Sequence, residues 1–102
     1  MKELLYTDVE NLQSEGKKLL IDFSASWCSP CRTLSPILES FEDEYQDITF
    51  VKVDIDNNKE AARKLGIRSV PTVVIYNGES LIKSFTGVQK ETTYKEILDT
   101  LK

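Results

Sequence analysis

Two cysteines separated by two residues, Cys28 and Cys31, are the side chains of this sequence best suited to chemistry. They are the only cysteines among 102 residues. At the first turn of a helix, such a pair has both sulfurs at one end and can close into a disulfide. The positive end of the helix dipole favours a thiolate at Cys28. We therefore expect thiol–disulfide exchange, in which Cys28 forms a mixed disulfide and Cys31 attacks it from within the same chain.

Cys31 needs a base when it attacks, and the chain has no histidine to serve as one. Without an imidazole, Ser-His-Asp catalysis, Cys-His catalysis and histidine-ligated zinc are excluded. Asp22 is the one charged residue inside the apolar run that precedes the cysteines. Burial raises the pKa of a carboxyl group and lets the carboxylate accept a proton near neutral pH, so Asp22 is the candidate base. The alternative is that Asp22 is a structural polar residue at a strand end.

Other uses of a cysteine pair with this spacing fit the sequence poorly. Half of a zinc site would need two further ligands, and the chain has no other cysteine and no histidine. Haem attachment needs a histidine after the second cysteine, and Arg32 stands there. No glycine-rich nucleotide-binding loop is present, so we expect no metal and no cofactor, and electrons that come from another protein.

Charge and hydropathy limit the partners. The 17 acidic and 13 basic residues give a net charge of -4 and include no basic run, which argues against nucleic acid. No apolar stretch approaches the ~20 residues of a membrane span, and an acidic residue comes too early for a signal peptide. We expect no membrane contact and a cytoplasmic location.

The hydropathy pattern predicts a single α/β domain over residues 1–102 with the order βαβαβαββα. The predicted strands are Leu4–Tyr6, Lys18–Phe23, Ile48–Ile55, Pro71–Tyr76 and Leu81–Phe85, the last two joined at Asn77-Gly78. A capping box at Thr7–Glu10 predicts a helix from about Asp8 to before Gly16. Further helices are expected from about Cys31 through Tyr45 with a kink at Pro36, from Asn57 to Gly66, and across Tyr94–Leu101. Strands should pair in parallel where helices cross over and antiparallel at the final hairpin, with the cysteines at the carboxyl ends of strands.

Residues 21–31, which read IDFSASWCSPC, resemble the active site of the thioredoxin family, and the resemblance covers essentially the whole chain. Pro36 matches a helix-kinking proline of that family. Lys52 matches the lysine beside its buried aspartate. Residues 66–72 match its segment with a cis-proline, and Gly87 matches a groove glycine.

The resemblance implies a thioredoxin fold, with a central five-stranded mixed sheet flanked by four helices. It implies Cys28 as nucleophile, Cys31 as resolving thiol and Asp22 as proton acceptor, with Lys52 completing the candidate catalytic set. It also implies a cis Val70–Pro71 bond that leaves the Val70 backbone free to pair with an extended substrate strand. The implied substrate groove consists of Trp27, Ser29, Pro30, Val70, Pro71 and Gly87.

On this basis we expect a protein-disulfide reductase: a monomeric dithiol carrier that reduces disulfides in cytosolic target proteins and is itself reduced by a separate thioredoxin reductase. A thiol oxidase or isomerase on the same fold, and a non-redox binding subunit that uses the groove, are the alternatives.

Ser29 stands where the family usually has glycine, and Ser24 stands where many members have an aromatic residue. A hydroxyl at Ser29 that donates to the Cys28 thiolate would stabilise the reduced form and make the protein less reducing than about -270 mV.

Overall fold

The structure, a computed structural model, describes every residue from Met1 to Lys102. Its five strands are β1 (Lys2–Glu3), β2 (Lys18–Ser24), β3 (Ile48–Asp54), β4 (Thr72–Asn77) and β5 (Ser80–Thr86). Its four α-helices are α1 (Tyr6–Ser14), α2 (Ser29–Glu39), α3 (Lys59–Lys64) and α4 (Glu91–Asp99), and a 3-10 turn spans Ile55–Asn57. The predicted five-stranded mixed sheet with four helices is confirmed.

Strand β2 is the middle strand of the sheet, whose order is β1-β3-β2-β4-β5. It pairs with β3 in parallel and with β4 antiparallel, and all its residues after Lys18 are buried. A strand covered on both faces needs apolar side chains on both, which is why residues 19–23 form a nearly continuous apolar run.

The direction of β4 differs from our expectation that strands joined through helices would be parallel. β4 follows α3, yet it runs antiparallel to β2, with Thr72 opposite Phe23. The six residues of α3 rise only about 9 Å. The seven residues of β3 extend about 23 Å, so the helix is too short to carry the chain back along the sheet. β4 therefore starts at the edge where β2 and β3 end.

The first strand and the first helix both begin two residues earlier than the sequence predicts. β1 occupies Lys2–Glu3 instead of Leu4–Tyr6, and α1 begins at Tyr6, two residues before the predicted position. No side chain of its own first turn caps the helix, so the predicted capping box does not form. The Tyr6 N–H instead donates to Oδ1 of Asn58 at 2.8 Å, across 52 residues of sequence.

The long helix is shorter than its apolar spacing predicted. α2 begins at Ser29 and ends at Glu39, with Pro36 inside it as expected. Phe41 and Tyr45 are buried, but they lie in the irregular segment that follows the helix. α3 begins at Lys59 instead of Asn57, and α4 spans Glu91–Asp99 instead of Tyr94–Leu101. The bounds of the four longer strands differ from the predicted bounds by no more than one residue.

The core lies on both faces of the sheet. On the side of α2 and α4, a cluster of 13 buried residues includes Leu20, Leu34, Val73 and Leu98. On the opposite side, seven buried residues, among them Val9, Leu19 and Ile21, pack below α1. Side chains of β2 alternate between the two clusters, which assigns Asp22 to the same face as Leu20, under α2.

We expect Asn58→Ala to lower the free energy of unfolding by about 1–2 kcal/mol. Besides capping α1, Asn58 donates through Nδ2 to the Asp54 carbonyl at 2.8 Å, so the substitution removes bonds on both sides of the side chain. Urea unfolding of this variant and of Asn57→Ala, a change at the exposed neighbour, measures the difference. Equal midpoints for the two variants would contradict a capping role.

Candidate active site

The cysteine pair lies at the first turn of α2, at the edge of the sheet where β2 ends. Cys28 is the N-cap residue of the helix, and the Cys31 amide donates to its sulfur at 3.2 Å. The two residues form a disulfide, with their Cα atoms 5.3 Å apart. Cys28 is 4% exposed and Cys31 1% exposed, and Ala25, Ile55 and Val70 pack around them. A sulfur that accepts a helix amide is in the position where negative charge is best stabilised.

Asp22 is completely buried behind this pair. Burial raises its pKa from 3.8 to about 6, because desolvation of the carboxylate outweighs the opposing effects of the Lys52 charge and a hydrogen bond from Ser35. Ser35 Oγ lies 3.4 Å from Oδ2 of Asp22, while Oδ1 has no hydrogen-bond partner. The carboxyl group therefore changes charge close to neutral pH.

Lys52 is held next to Asp22 by the register of the sheet. The two residues are direct partners in the parallel pairing of β2 with β3. Lys52 is half-buried and lines a cleft of about 170 Å³ together with Cys31, Arg32 and Glu3. A cleft of this size has room for several water molecules beside the inner cysteine.

The segment before β4 forms the other wall of the site. The Val70–Pro71 bond is cis, and the Pro71 carbonyl accepts the N–H of Gly87 at 2.8 Å. Gly87 has φ +80°, a left-handed conformation that favours glycine. The side chain of Val70 packs against the cysteines, and neither its backbone N–H nor its C=O is hydrogen-bonded within the protein.

Trp27, Ser29 and Pro30 form the exposed rim. Trp27 is 65% exposed, and its Nε1 donates to Oδ2 of Asp56 at 2.9 Å. The Ser29 hydroxyl accepts from Nη2 of Arg32 at 3.1 Å in this disulfide form. Nη1 of Arg32 also donates to the Ser26 carbonyl at 2.8 Å. The guanidinium therefore bonds to Ser26, which precedes Cys28, and to Ser29, which follows it.

Three residues of this site were absent from the candidates that the sequence suggested. Ser35 contacts Asp22, Arg32 holds the cysteine turn, and Asp56 holds Trp27. Two of them lie close to the cysteines in sequence, since Arg32 follows Cys31 directly and Ser35 lies one helical turn after it, but this spacing does not reveal their contacts. Nothing local in the sequence connects Asp56 with Trp27, 29 residues away.

None of the helices is both long enough and apolar enough to cross a membrane.

A cysteine pair at a helix start, a buried carboxyl group behind it and a cis-proline loop beside it, on a five-stranded mixed sheet, define the class of thiol–disulfide oxidoreductases with this fold. The family model described as thioredoxin matches residues 6–100. The thioredoxin of Mycoplasmoides gallisepticum is 37% identical over 91 residues, covering 89% of this chain and 91% of that protein. The thioredoxin of Alicyclobacillus acidocaldarius is 38% identical over 87 residues, covering 83% of each chain. The crystal structure of Fasciola hepatica thioredoxin superposes with a TM-score of 0.88 at 35% identity, covering all of both chains. The chain belongs to the thioredoxin family, and it is a thiol–disulfide oxidoreductase of the protein-disulfide reductase type.

Replacing Asp22 by Asn is expected to stabilise the oxidised protein at pH 7. The carboxyl pKa is about 6 in the folded state and 3.8 in the reference state, so the unfolded chain loses this proton first as the pH rises. Folding stability therefore falls between about pH 4 and pH 6, by about 3 kcal/mol in total. We expect Asp22→Asn to raise the free energy of unfolding by up to that amount at pH 7 and to have little effect near pH 3.5. A gain of equal size at both pH values would mean that something other than titration of Asp22 is responsible.

Proposed function

We propose that this protein is a dithiol electron carrier that reduces disulfides in other proteins, with Cys28 as the nucleophile and Cys31 as the resolving thiol. The observation that supports these roles is the position of each sulfur. Cys28 accepts the amide of the first helical turn and is the more exposed of the two. Cys31 lies one helical turn before Ser35, which contacts the buried carboxyl group of Asp22.

The reaction transfers two electrons and two protons in two displacements. The Cys28 thiolate attacks one sulfur of the target disulfide, the target S–S bond breaks, and the other target sulfur leaves as a thiolate that takes up a proton. Cys31 then loses its proton, and its thiolate attacks the Cys28 sulfur of the mixed disulfide. The Cys28–Cys31 bond forms, the bond between Cys28 and the target sulfur breaks, and that sulfur leaves as a thiolate that takes up a proton, which yields a target dithiol and an oxidised carrier.

We assign the proton of Cys31 to the carboxylate of Asp22. A carboxyl group with its pKa at about 6 is ionised at neutral pH and still accepts a proton more readily than an ordinary aspartate. Lys52, its register partner, supports the ionised form, and the cleft that both Lys52 and Cys31 line is the route to solvent. Water in this cleft would complete the transfer.

The open backbone of Val70 is the proposed docking point for an extended segment of the target. Its unpaired N–H and C=O can accept a target strand as in β-augmentation, which gives affinity without selecting particular side chains. The groove around it consists of Trp27, Ser29, Pro30, Val70, Pro71 and Gly87. Disulfide-containing proteins are therefore the proposed substrates.

The return of electrons to the carrier is assigned to a separate thioredoxin reductase. The proposed working unit is the single domain of residues 1–102, acting as a monomer, with no cofactor of its own. A reducing compartment such as the cytoplasm is the proposed setting, because only there does a supply of electrons keep a dithiol carrier reduced.

Cys31→Ser is expected to accumulate mixed disulfides with target proteins, because Cys28 can still attack while nothing resolves the product. Cys28→Ser is expected to accumulate none. Non-reducing electrophoresis of each variant after incubation with a disulfide-containing protein measures the trapped species. Equal trapping by the two variants would refute the assigned roles.

Asp22→Asn is expected to slow reduction of a protein disulfide by about 10-fold at pH 7, since general bases of this kind contribute at least that much. The defect should shrink above about pH 8, where a thiol with its ordinary pKa of ~8.5 ionises without help. Stopped-flow rates from pH 5.5 to 9 test this, with Asp47→Asn, at an exposed site, as the matched control. An unchanged pH profile would leave Asp22 a purely structural role.

A further inference from the structure

Ser35 is one of only four buried polar or charged residues in the chain. It lies one turn after Cys31 on the inner side of α2 and is 6% exposed. Its Oγ lies 3.1 Å from the Cys31 carbonyl oxygen and 3.4 Å from Oδ2 of Asp22. The hydroxyl thus bridges the helical turn of the resolving cysteine and the buried carboxyl group.

This contact is the only hydrogen bond that the Asp22 carboxyl group makes in the protein. Its other oxygen, Oδ1, has no partner. A buried carboxylate without any donor carries a large desolvation cost, so the one available donor has an unusually large influence on it. Because a hydrogen bond to a charged acceptor is about twice as strong as a neutral one, the Ser35 hydroxyl favours the ionised form.

The hydroxyl group is also suited to the protonated form of Asp22. It carries a single hydrogen and has two acceptors within reach. When Asp22 is ionised, the hydroxyl hydrogen points to Oδ2. When Asp22 is protonated, the carboxyl O–H donates to Ser35 Oγ, and the Ser35 hydrogen turns to the Cys31 carbonyl. In each protonation state one hydrogen bond therefore joins Ser35 to Oδ2 of Asp22 with no movement of heavy atoms, while Oδ1 has no partner in either.

We propose that Ser35 is a positioning residue, whose hydroxyl holds the Asp22 carboxyl group against the Cys31 turn of α2 and serves both of its protonation states. The inference rests on the proposed role of Asp22 as proton acceptor for Cys31. In the reaction step, the thiol proton of Cys31 passes to the Asp22 carboxylate, and Ser35 exchanges no proton with solvent or target.

The groups around Asp22 leave Ser35 as its only neutral donor. From β3, Lys52 contributes a positive charge, and from α2 the Ser35 hydroxyl donates to the carboxyl group. On α4, the phenol of Tyr94 is buried, and desolvation raises its pKa. The negative charge of Asp22 contributes to the same increase in the Tyr94 pKa. The partner on β4 is the apolar Val73. Removing the Ser35 hydroxyl leaves only the Lys52 charge to support the carboxylate.

The test is a titration of the Asp22 carboxyl carbon by NMR in the full-length oxidised protein. Ser35→Ala is expected to raise the midpoint by about one pH unit, because a hydrogen bond to a charged group is lost. Ser35→Thr, which keeps the hydroxyl, is expected to restore the parent midpoint. Thr33→Ala is the matched control, since it removes a hydroxyl on the exposed side of the same helix that bonds the Ser29 carbonyl at 3.4 Å.

The kinetic form of the test uses stopped-flow reduction of a chromophoric disulfide. Ser35→Ala is expected to move the acid limb of the pH–rate profile upward by the same amount as the NMR midpoint. In an Asp22→Asn background, the same substitution is expected to change nothing. A carboxyl midpoint for Ser35→Ala within about 0.2 of the parent value would overturn the inference.

The two ideas fail separately. If Asp22→Asn leaves the pH–rate profile unchanged, the role of Asp22 as proton acceptor is lost, while the NMR midpoint still decides whether Ser35 acts on the carboxyl group. If Asp22→Asn changes the profile and Ser35→Ala moves neither midpoint nor profile, only the inference about Ser35 is lost. A Ser35→Ala effect that persists in the Asp22→Asn background would also overturn it, since Ser35 would then act by another route.

Discussion

Burial of one carboxyl group, that of Asp22, is the constraint on which the rest of this site depends. Desolvation disfavours its charged form, and a single hydrogen bond together with one neighbouring ammonium group offsets only part of that effect. The protein retains an internal group that changes charge near neutral pH, directly behind a cysteine pair that must exchange protons. The cost to folding stability at neutral pH, about 3 kcal/mol, is a substantial share of the 5–15 kcal/mol typical of a domain. A proton-transfer role for Asp22 would explain why the protein keeps a carboxyl group that lowers its folding stability this much.

The sheet supplies the setting for that carboxyl group. Asp22 lies on β2, the middle strand of the sheet, and α2 covers the face to which it points. Parallel pairing with β3 fixes Lys52 beside it. Any slip of this register by one residue would turn Lys52 to the other face of the sheet, away from Asp22.

The antiparallel direction of β4 brings the cis-proline loop to the cysteine turn. Because β4 starts where β2 ends, the cis-proline loop that precedes it lies at the same edge as the cysteine turn. The same arrangement places the end of β5 there, so that Gly87 can donate to the Pro71 carbonyl. A parallel β4 would have put Pro71 at the opposite edge, a full strand length from Cys28.

The sequence by itself determined the chemistry of the two cysteines, the apolar run that makes β2 a central strand, and the types of nearly all helices and strands. These features depend on neighbours within a few residues, so spacing and periodicity reveal them. Tertiary structure alone decided the direction of β4, the capping of α1 by Asn58, the end of α2 before Phe41, and the contacts of Asp56 and Ser35. Each of these depends on groups that are distant in sequence or on how a short helix spans a sheet. Local patterns carry no information on such distances, and so the environment of the buried carboxyl group emerges only when the chain is folded.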